Sequence, residues 1–317
     1  MMSLRSERAR KRKLLHRVRH QRLKYVTILP SLITLINGIC GFAAIVFASK
    51  GVEHMSVRQI NLSYFTWSAW MIFFAMVADM LDGRVARISK TTSSFGGQLD
   101  SLCDAISFGV APAFLMLKLL DHKLHEMVGP EFILEGFVYR FVWLAAAAYM
   151  ACATIRLARF NVENEEDETA HMSFVGLPTP AAAGVLASLI LFYQDMLVDL
   201  GDAPLVKFSE SAVIGSLPFV AIGLAILMIG RIRYPHLVNL YLRGRKPMTH
   251  LFWAVVIGGV IVLFTLQTAL VIAFCGFALT GVARWAAYRI RVLRRGGLEP
   301  EPPILSVSTP DTDDLPQ

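Results

Sequence analysis

The chain has 317 residues, 55% of them hydrophobic and 17% charged, with a formal net charge of +7. Ordinary soluble domains carry roughly a quarter charged residues, so this composition argues against a soluble fold, and it excludes a disordered chain, a collagen-like repeat and a disulfide scaffold. What remains is an all-α polytopic membrane helix bundle folding as one unit.

Residues 1–28 form a basic arm, dense in Arg and Lys from Arg5 to Lys24 and partly amphipathic between Leu14 and Tyr25. Such an arm suits anionic headgroups, each basic residue contributing on the order of 1 kcal/mol at the surface; a solvated determinant of orientation is the other reading. It lacks the short charged region and small-residue cleavage site of a signal peptide, so the first apolar block is expected to stay in the mature protein. No nucleic-acid partner is expected.

A spanning helix needs about 20 mostly apolar residues. Eight stretches qualify, near 29–49, 63–81, 98–119, 138–158, 177–198, 211–230, 250–269 and 270–288. The last two form one nearly continuous apolar run from His250 to Ile290, too long for a single span, so a hairpin is predicted near Gln267 to Leu270. Trp67, Trp70, Trp143 and Trp253 read as span or interface anchors. Cys40, Cys103, Cys152 and Cys275 have no metal-ligand spacing and read as small buried hydrophobes.

Lys and Arg accumulate on the cytoplasmic side of membrane proteins. With eight spans and both termini inside, the arm, Arg84 to Lys90, Arg156 with Arg159, Arg231 to Lys246 and Arg284 to Arg295 place 25 of the 31 basic residues there. Dropping one span would put a basic cluster outside. The domain plan is thus the arm at 1–28, a transmembrane domain at 29–292, and an acidic, Pro-rich tail at 293–317 expected to be disordered.

Four aspartates break the apolar pattern near the cytoplasmic ends of the second and third spans: Asp79, Asp82, Asp100 and Asp104. Acidic residues at membrane depth are costly and mark a functional site. Spacings of three and four put each pair on one helix face, and neighbouring antiparallel helices bring the two pairs together. Four carboxylates in one cleft call for divalent cations, and an all-oxygen donor set suits Mg²⁺ or Mn²⁺. Gly83 admits close approach to the backbone, Ala86 keeps the face shallow, Arg87 offers a planar donor to phosphate, and Thr91 to Ser94 add hydroxyls before Gly96. Together these describe a site for a phosphorylated ligand at the inner membrane surface, where two metals can clamp a phosphoryl group.

Arg156 and Arg159 lie one turn apart beside Asn161. They can grip an acceptor carboxylate or a phosphate; a positive-inside anchor or a salt bridge to Glu163 or Glu165 are the alternatives. Gly176 to Pro180 is expected to open the fifth span, with Ala181 to Gly184 allowing close packing.

The string Asp79-x-x-Asp82-Gly83-x-x-Ala86-Arg87, eight residues, Gly96-x-x-x-Asp100-x-x-x-Asp104 resembles the signature of the CDP-alcohol phosphatidyltransferase family at all its specified positions. The segments LPSLITLINGICGFAAI, FGGQLDSLCDAISFGVAPA, RLARFNV and FVGLPTPAAAG are similar to its bacterial phosphatidylserine synthase branch. The chain departs from the pattern at Ser31, where Asn is usual. The resemblance implies transfer of a phosphatidyl group from CDP-diacylglycerol to L-serine, with release of CMP, in the bacterial cytoplasmic membrane. It implies Asp79, Asp82, Asp100 and Asp104 as ligands of two Mg²⁺ or Mn²⁺ ions, with Asp104 also the proton acceptor. It further implies Gly83, Ala86, Arg87, Ser93 and Gly96 as contacts for the CDP-lipid, Thr34 and Ser31 on the nucleotide side, and a homodimer. Another acceptor alcohol, such as glycerol 3-phosphate, an inositol phosphate or choline, is the nearest alternative. An ion or metal transporter is the alternative of another class; it predicts acidic residues nearer mid-span on several helices.

Overall fold

The computed structural model describes residues 31–51, 53–57, 60–89, 94–128, 133–166, 174–194, 204–230, 233–234, 259 and 266–294. The basic arm, most of the predicted seventh span, Thr91 to Ser93 and the acidic tail after residue 294 lie outside the described residues. Cα proximity divides the chain into two units, Met1–Gly281 and Val282–Gln317. The bundle below belongs to the first; of the second, residues 282–294 are helical.

The elements in order are α1 Ser31–Lys50, a hairpin of β1 His54–Val57 and β2 Ile60–Ser63, and α2 Tyr64–Ser89. There follow α3 Ser94–Asp104, a π-helical segment Ala105–Val110, α4 Ala111–Val128 and α5 Ile133–Glu166. The remainder is β3 Phe174–Val175, α6 Thr179–Phe192, α7 Pro204–Ile229, β4 Arg233–Tyr234 and α8 Leu266–Arg294. β3 and β4 pair antiparallel.

Among the described residues six helical stretches are long and apolar enough to cross a membrane: Ser31–Lys50, Tyr64–Val85, Phe95–Lys123, Gly136–Val162, Phe208–Ile229 and Leu266–Ala287. They correspond to the first four predicted spans, the sixth and the eighth. Of the fifth, the described residues show an apolar α-helix of 14 residues, Thr179–Phe192, with 195–203 outside the described residues. The hairpin expected at Gln267 to Leu270 is not formed, because α8 runs unbroken from Leu266 through those positions. Gln267 and Thr268 are polar but not turn-forming, and a helix accommodates them without Gly, Pro, Asn or Asp to end it.

Helix α6 is the centre of the bundle. Ten of its 14 residues are buried, and it packs against α2, α4, α7 and the π-helical segment. A helix apolar on every side has no solvent face to present, which suits this position. Pro178 precedes it and Pro180 sits in its first turn, where no backbone N–H is needed. Gly184 lies against the ring of Phe274, the close packing expected of the small-residue run. Around α6 the largest fully buried side chains include Tyr149, Phe65, Phe108, Leu115, Leu186 and Ile190. Phe42, Phe137, Trp143, Phe208 and Phe219 are exposed on the outer faces, as lipid-facing residues are in a bundle whose backbone is satisfied internally.

The π-helical segment has a local cause. Pro112 has no N–H to give to the Phe108 carbonyl four residues back, and its ring crowds that position. The helix widens just before it, with the Ala111 N–H bonded to the Ile106 carbonyl. The Tyr149 hydroxyl donates to the Phe108 carbonyl at 3.1 Å, replacing the missing amide. This change of winding begins directly after Asp104.

Helix α1 lies close on this rod. Gly38 and Gly41 face Cys103 and Ser107, and a Cβ on Gly41 would stand 2.7 Å from the Ser107 Cα. Gly83 has nothing within 4 Å of the same position. Gly41→Ala is therefore expected to destabilise by about 1–3 kcal/mol, the usual cost of overpacking, and Gly83→Ala, inside α2 with open space around it, to leave stability unchanged or raise it by up to about 1 kcal/mol. Thermal unfolding in detergent checks both; equal melting temperatures for the two variants would refute the close approach.

Candidate active site

The carboxylates gather at one end of the bundle, built from the start of α1, the end of α2 and α3. One carboxylate oxygen each from Asp79, Asp100 and Asp104 lies within 4.8 Å of the others. Asp104 is buried, with 8% of its surface exposed, and its Oδ1 accepts a hydrogen bond from Asn37 Nδ2 at 2.8 Å. Asp82, 6% exposed, is one turn from Asp79 on α2, and accepts a hydrogen bond from the Thr34 hydroxyl. Three of the four predicted ligands are thus brought together, and the fourth is held beside them by α1.

Among the described residues no Lys, Arg or His lies within 4 Å of any of these carboxylates; the ion pair found there is Lys118 with Asp121, at the other end of the bundle. Each ionised pair at 4.8 Å repels by about 3 kcal/mol at an effective dielectric of ~20. Oxygen-only donors at this spacing, with no basic partner within 4 Å among the described residues, fit a hard divalent cation such as Mg²⁺ or Mn²⁺.

The other predicted contacts divide in three. Gly83 is exposed and flanked by open space, Gly96 is half-buried on α3, and Ser31 is half-buried at the start of α1. Thr34, expected on the nucleotide side, is 2% exposed and turned to Asp82. Ala86 and Arg87 lie on α2 with their side chains outside the described residues, as does all of Ser93.

The two arginines reach the same end through α5. Ser101 donates to Asn161 Oδ1 at 2.9 Å, tying the end of α5 to α3 one residue after Asp100. Arg156, 7% exposed, donates from Nη1 to the Thr179 hydroxyl at 2.9 Å at the start of α6. Arg159 Nη1 donates to the Ile229 carbonyl at 3.3 Å at the end of α7. Both are therefore integrated into the helix ends; Glu163 and Glu165 have side chains outside the described residues. Gly176, at φ 87°, makes the turn between β3 and α6, and the Leu177 N–H bonds to the Leu227 carbonyl at 3.0 Å. That pairing anchors the α6 start on which Arg156 rests.

Sequence reasoning missed Asn37, Ser107 and Thr179. Asn37 had a signal available, since a lone amide inside an apolar span, three residues after Thr34 and so on its face, is costly unless paired. Ser107 donates to the Asn37 carbonyl at 2.9 Å, a contact no spacing rule reveals.

Comparison with known proteins agrees with this arrangement. A family model for CDP-alcohol phosphatidyltransferase matches residues 27–298. A Helicobacter pylori protein named CDP-diacylglycerol–serine O-phosphatidyltransferase is 28% identical over 240 residues, covering 75% of this chain and 88% of that protein. Proteins of the same name from Methanocaldococcus jannaschii, 30% identical over 216 residues (68% of this chain, 77% of that protein), and Bacillus subtilis, 29% identical over 208 residues (66% and 90%), are similar to it as well. With the signature aspartates assembled in a helical membrane bundle and the family match running over most of its length, the chain belongs to the CDP-alcohol phosphatidyltransferase family.

Proposed function

We propose that this protein transfers the phosphatidyl group of CDP-diacylglycerol to L-serine, forming phosphatidylserine and CMP. The convergence of Asp79, Asp100 and Asp104 is the observation that carries this reading, and the names of the relatives supply the acceptor. The four aspartates would hold two Mg²⁺ or Mn²⁺ ions, whose charge lowers the barrier to phosphoryl transfer.

The chain's own residues do the rest. The open flank at Gly83 admits the diphosphate close to the α2 backbone, with Ala86, Arg87, Ser93 and Gly96 around it, and Ser31 and Thr34 toward the nucleotide. Asp104 accepts the serine hydroxyl proton as the serine oxygen bonds to the phosphorus bearing diacylglycerol. The bond from that phosphorus to the CMP oxygen breaks in line, and CMP leaves with the electron pair. Arg156 and Arg159, at the same end of the bundle, suit the serine carboxylate.

The basic clusters favour an active site facing the cytoplasm from a bacterial inner membrane, and the positive-inside argument favours eight spans with both termini inside. The same domain plan follows, with a surface-bound arm before the bundle and a disordered tail after it. Family resemblance is the ground for a homodimer.

The test is CMP release from CDP-diacylglycerol by purified protein, with Mg²⁺ or Mn²⁺ and a panel of labelled alcohols. Serine-dependent release with labelled phosphatidylserine is expected. Release only with another alcohol would overturn the acceptor, and no release with any would overturn the enzyme reading.

A further inference from the structure

Asn37 is fully buried on α1, yet it is only half satisfied. Its Nδ2 donates to Asp104 Oδ1 at 2.8 Å, while its own Oδ1 has no hydrogen-bond partner among the described residues. A carboxylate accepts and does not donate, so the bond fixes which end of the amide faces Asp104. A buried amide with an orphaned carbonyl costs stability, a cost that an apolar residue in a purely packing role would not carry. Such a group is retained for something other than folding strength. Helix docking does not require the side chain, because Ser107 reaches the Asn37 backbone carbonyl and the Gly41 contact is also made by backbone.

We propose that Asn37 is a positioning residue that occupies Oδ1 of Asp104 and leaves Oδ2 as the oxygen available to metal and to the acceptor's hydroxyl proton. The inference rests on the proposed two-metal transferase site. Its physical basis is that a carboxylate on a buried helix face can rotate about its terminal torsion, exchanging its two oxygens. One short bond from a rigid neighbouring helix removes that freedom. Thr34 makes the corresponding contact to Asp82 one turn earlier on the same face, so α1 braces one carboxylate of each pair. Partners that orient metal-binding carboxylates in this way typically carry 10- to 100-fold of metal affinity or activity.

The experiment compares Asn37→Leu with Ser107→Ala in the full-length protein. Mn²⁺ affinity is read by titration in the absence of lipid and serine, alongside kcat and KM for CDP-diacylglycerol and thermal unfolding. Asn37→Leu is expected to weaken Mn²⁺ binding and lower kcat, each by about 10- to 100-fold, with KM within about threefold and a melting temperature within a few degrees of wild type, the lost orphaned carbonyl offsetting the donor lost at Asp104. Ser107→Ala is expected to lower the melting temperature and leave Mn²⁺ affinity within about twofold; Asn37→Ala is read in the same way should the leucine variant not fold. Wild-type Mn²⁺ affinity and kcat in the Asn37 variant would overturn the proposal, as would equal effects of both substitutions on unfolding and on Mn²⁺. Because Mn²⁺ binding needs neither substrate, its loss in Asn37→Leu supports the positioning role even if the wild-type protein proves to use an acceptor other than serine.

Discussion

Asp104→Asn is expected to release CMP about 10²- to 10⁴-fold more slowly than wild type at saturating Mn²⁺, the range lost with a general base, while still binding CDP-diacylglycerol. The amide has nearly the shape of the carboxylate, and its carbonyl can accept the same bond from Asn37 Nδ2, so the burial of this position and the seat of α1 persist. What goes is the proton acceptor, together with one of the charges that hold metal. Saturating metal separates the two losses: a defect of binding recovers as Mn²⁺ rises, and a defect of proton transfer does not. Single-turnover CMP release with labelled serine, beside equilibrium binding of the CDP-lipid, makes the distinction. Turnover within about tenfold of wild type would remove Asp104 from its role as base.

Chelation is expected to have the larger effect still, taking CMP release to background and lowering the melting temperature, with both restored by Mg²⁺ or Mn²⁺. Three carboxylates within 4.8 Å of one another, with no basic side chain within 4 Å among the described residues, crowd like charges in the cation-free site and oppose its folding. A ligand that binds only the folded state at 100 times its Kd stabilises by about 2.7 kcal/mol, a shift of a few degrees for a domain of this size. In Asp100→Asn the thermal gain should disappear along with activity. A wild-type melting curve indifferent to EDTA and Mn²⁺ would refute a metal centre independently of the reaction assay.

Much of this was legible because charge is scarce in the chain. Against long apolar stretches, Asp79, Asp82, Asp100 and Asp104 stood out, and helical spacing alone put each pair on one face. The spans over α1, α2, α5 and α7 followed from hydropathy in the same way. Where reading failed, the deciding interactions were between helices. Asn37 looks like any polar residue in an apolar run until Asp104, 67 positions later, is seen beside it. The Thr34 hydroxyl likewise meets Asp82 across the α1–α2 interface, 48 positions away in the chain, a contact that spacing does not reveal. At Gln267 and Thr268 polarity was taken for a turn, but polarity without a backbone-breaking residue leaves a helix intact.

Pro112 and the wide turn before it give the aspartate face and the core face of the rod Phe95–Lys123 a relative rotation that regular winding would not produce. Relaxing that turn to an α-helix by losing one residue would swing the faces by about 100°, aiming Asp100 and Asp104 away from α2 with every functional side chain still present. The distance along the chain between Asp104 and Pro112 is therefore itself part of the active site's specification, a quantity that substitution scanning of individual residues would leave invisible.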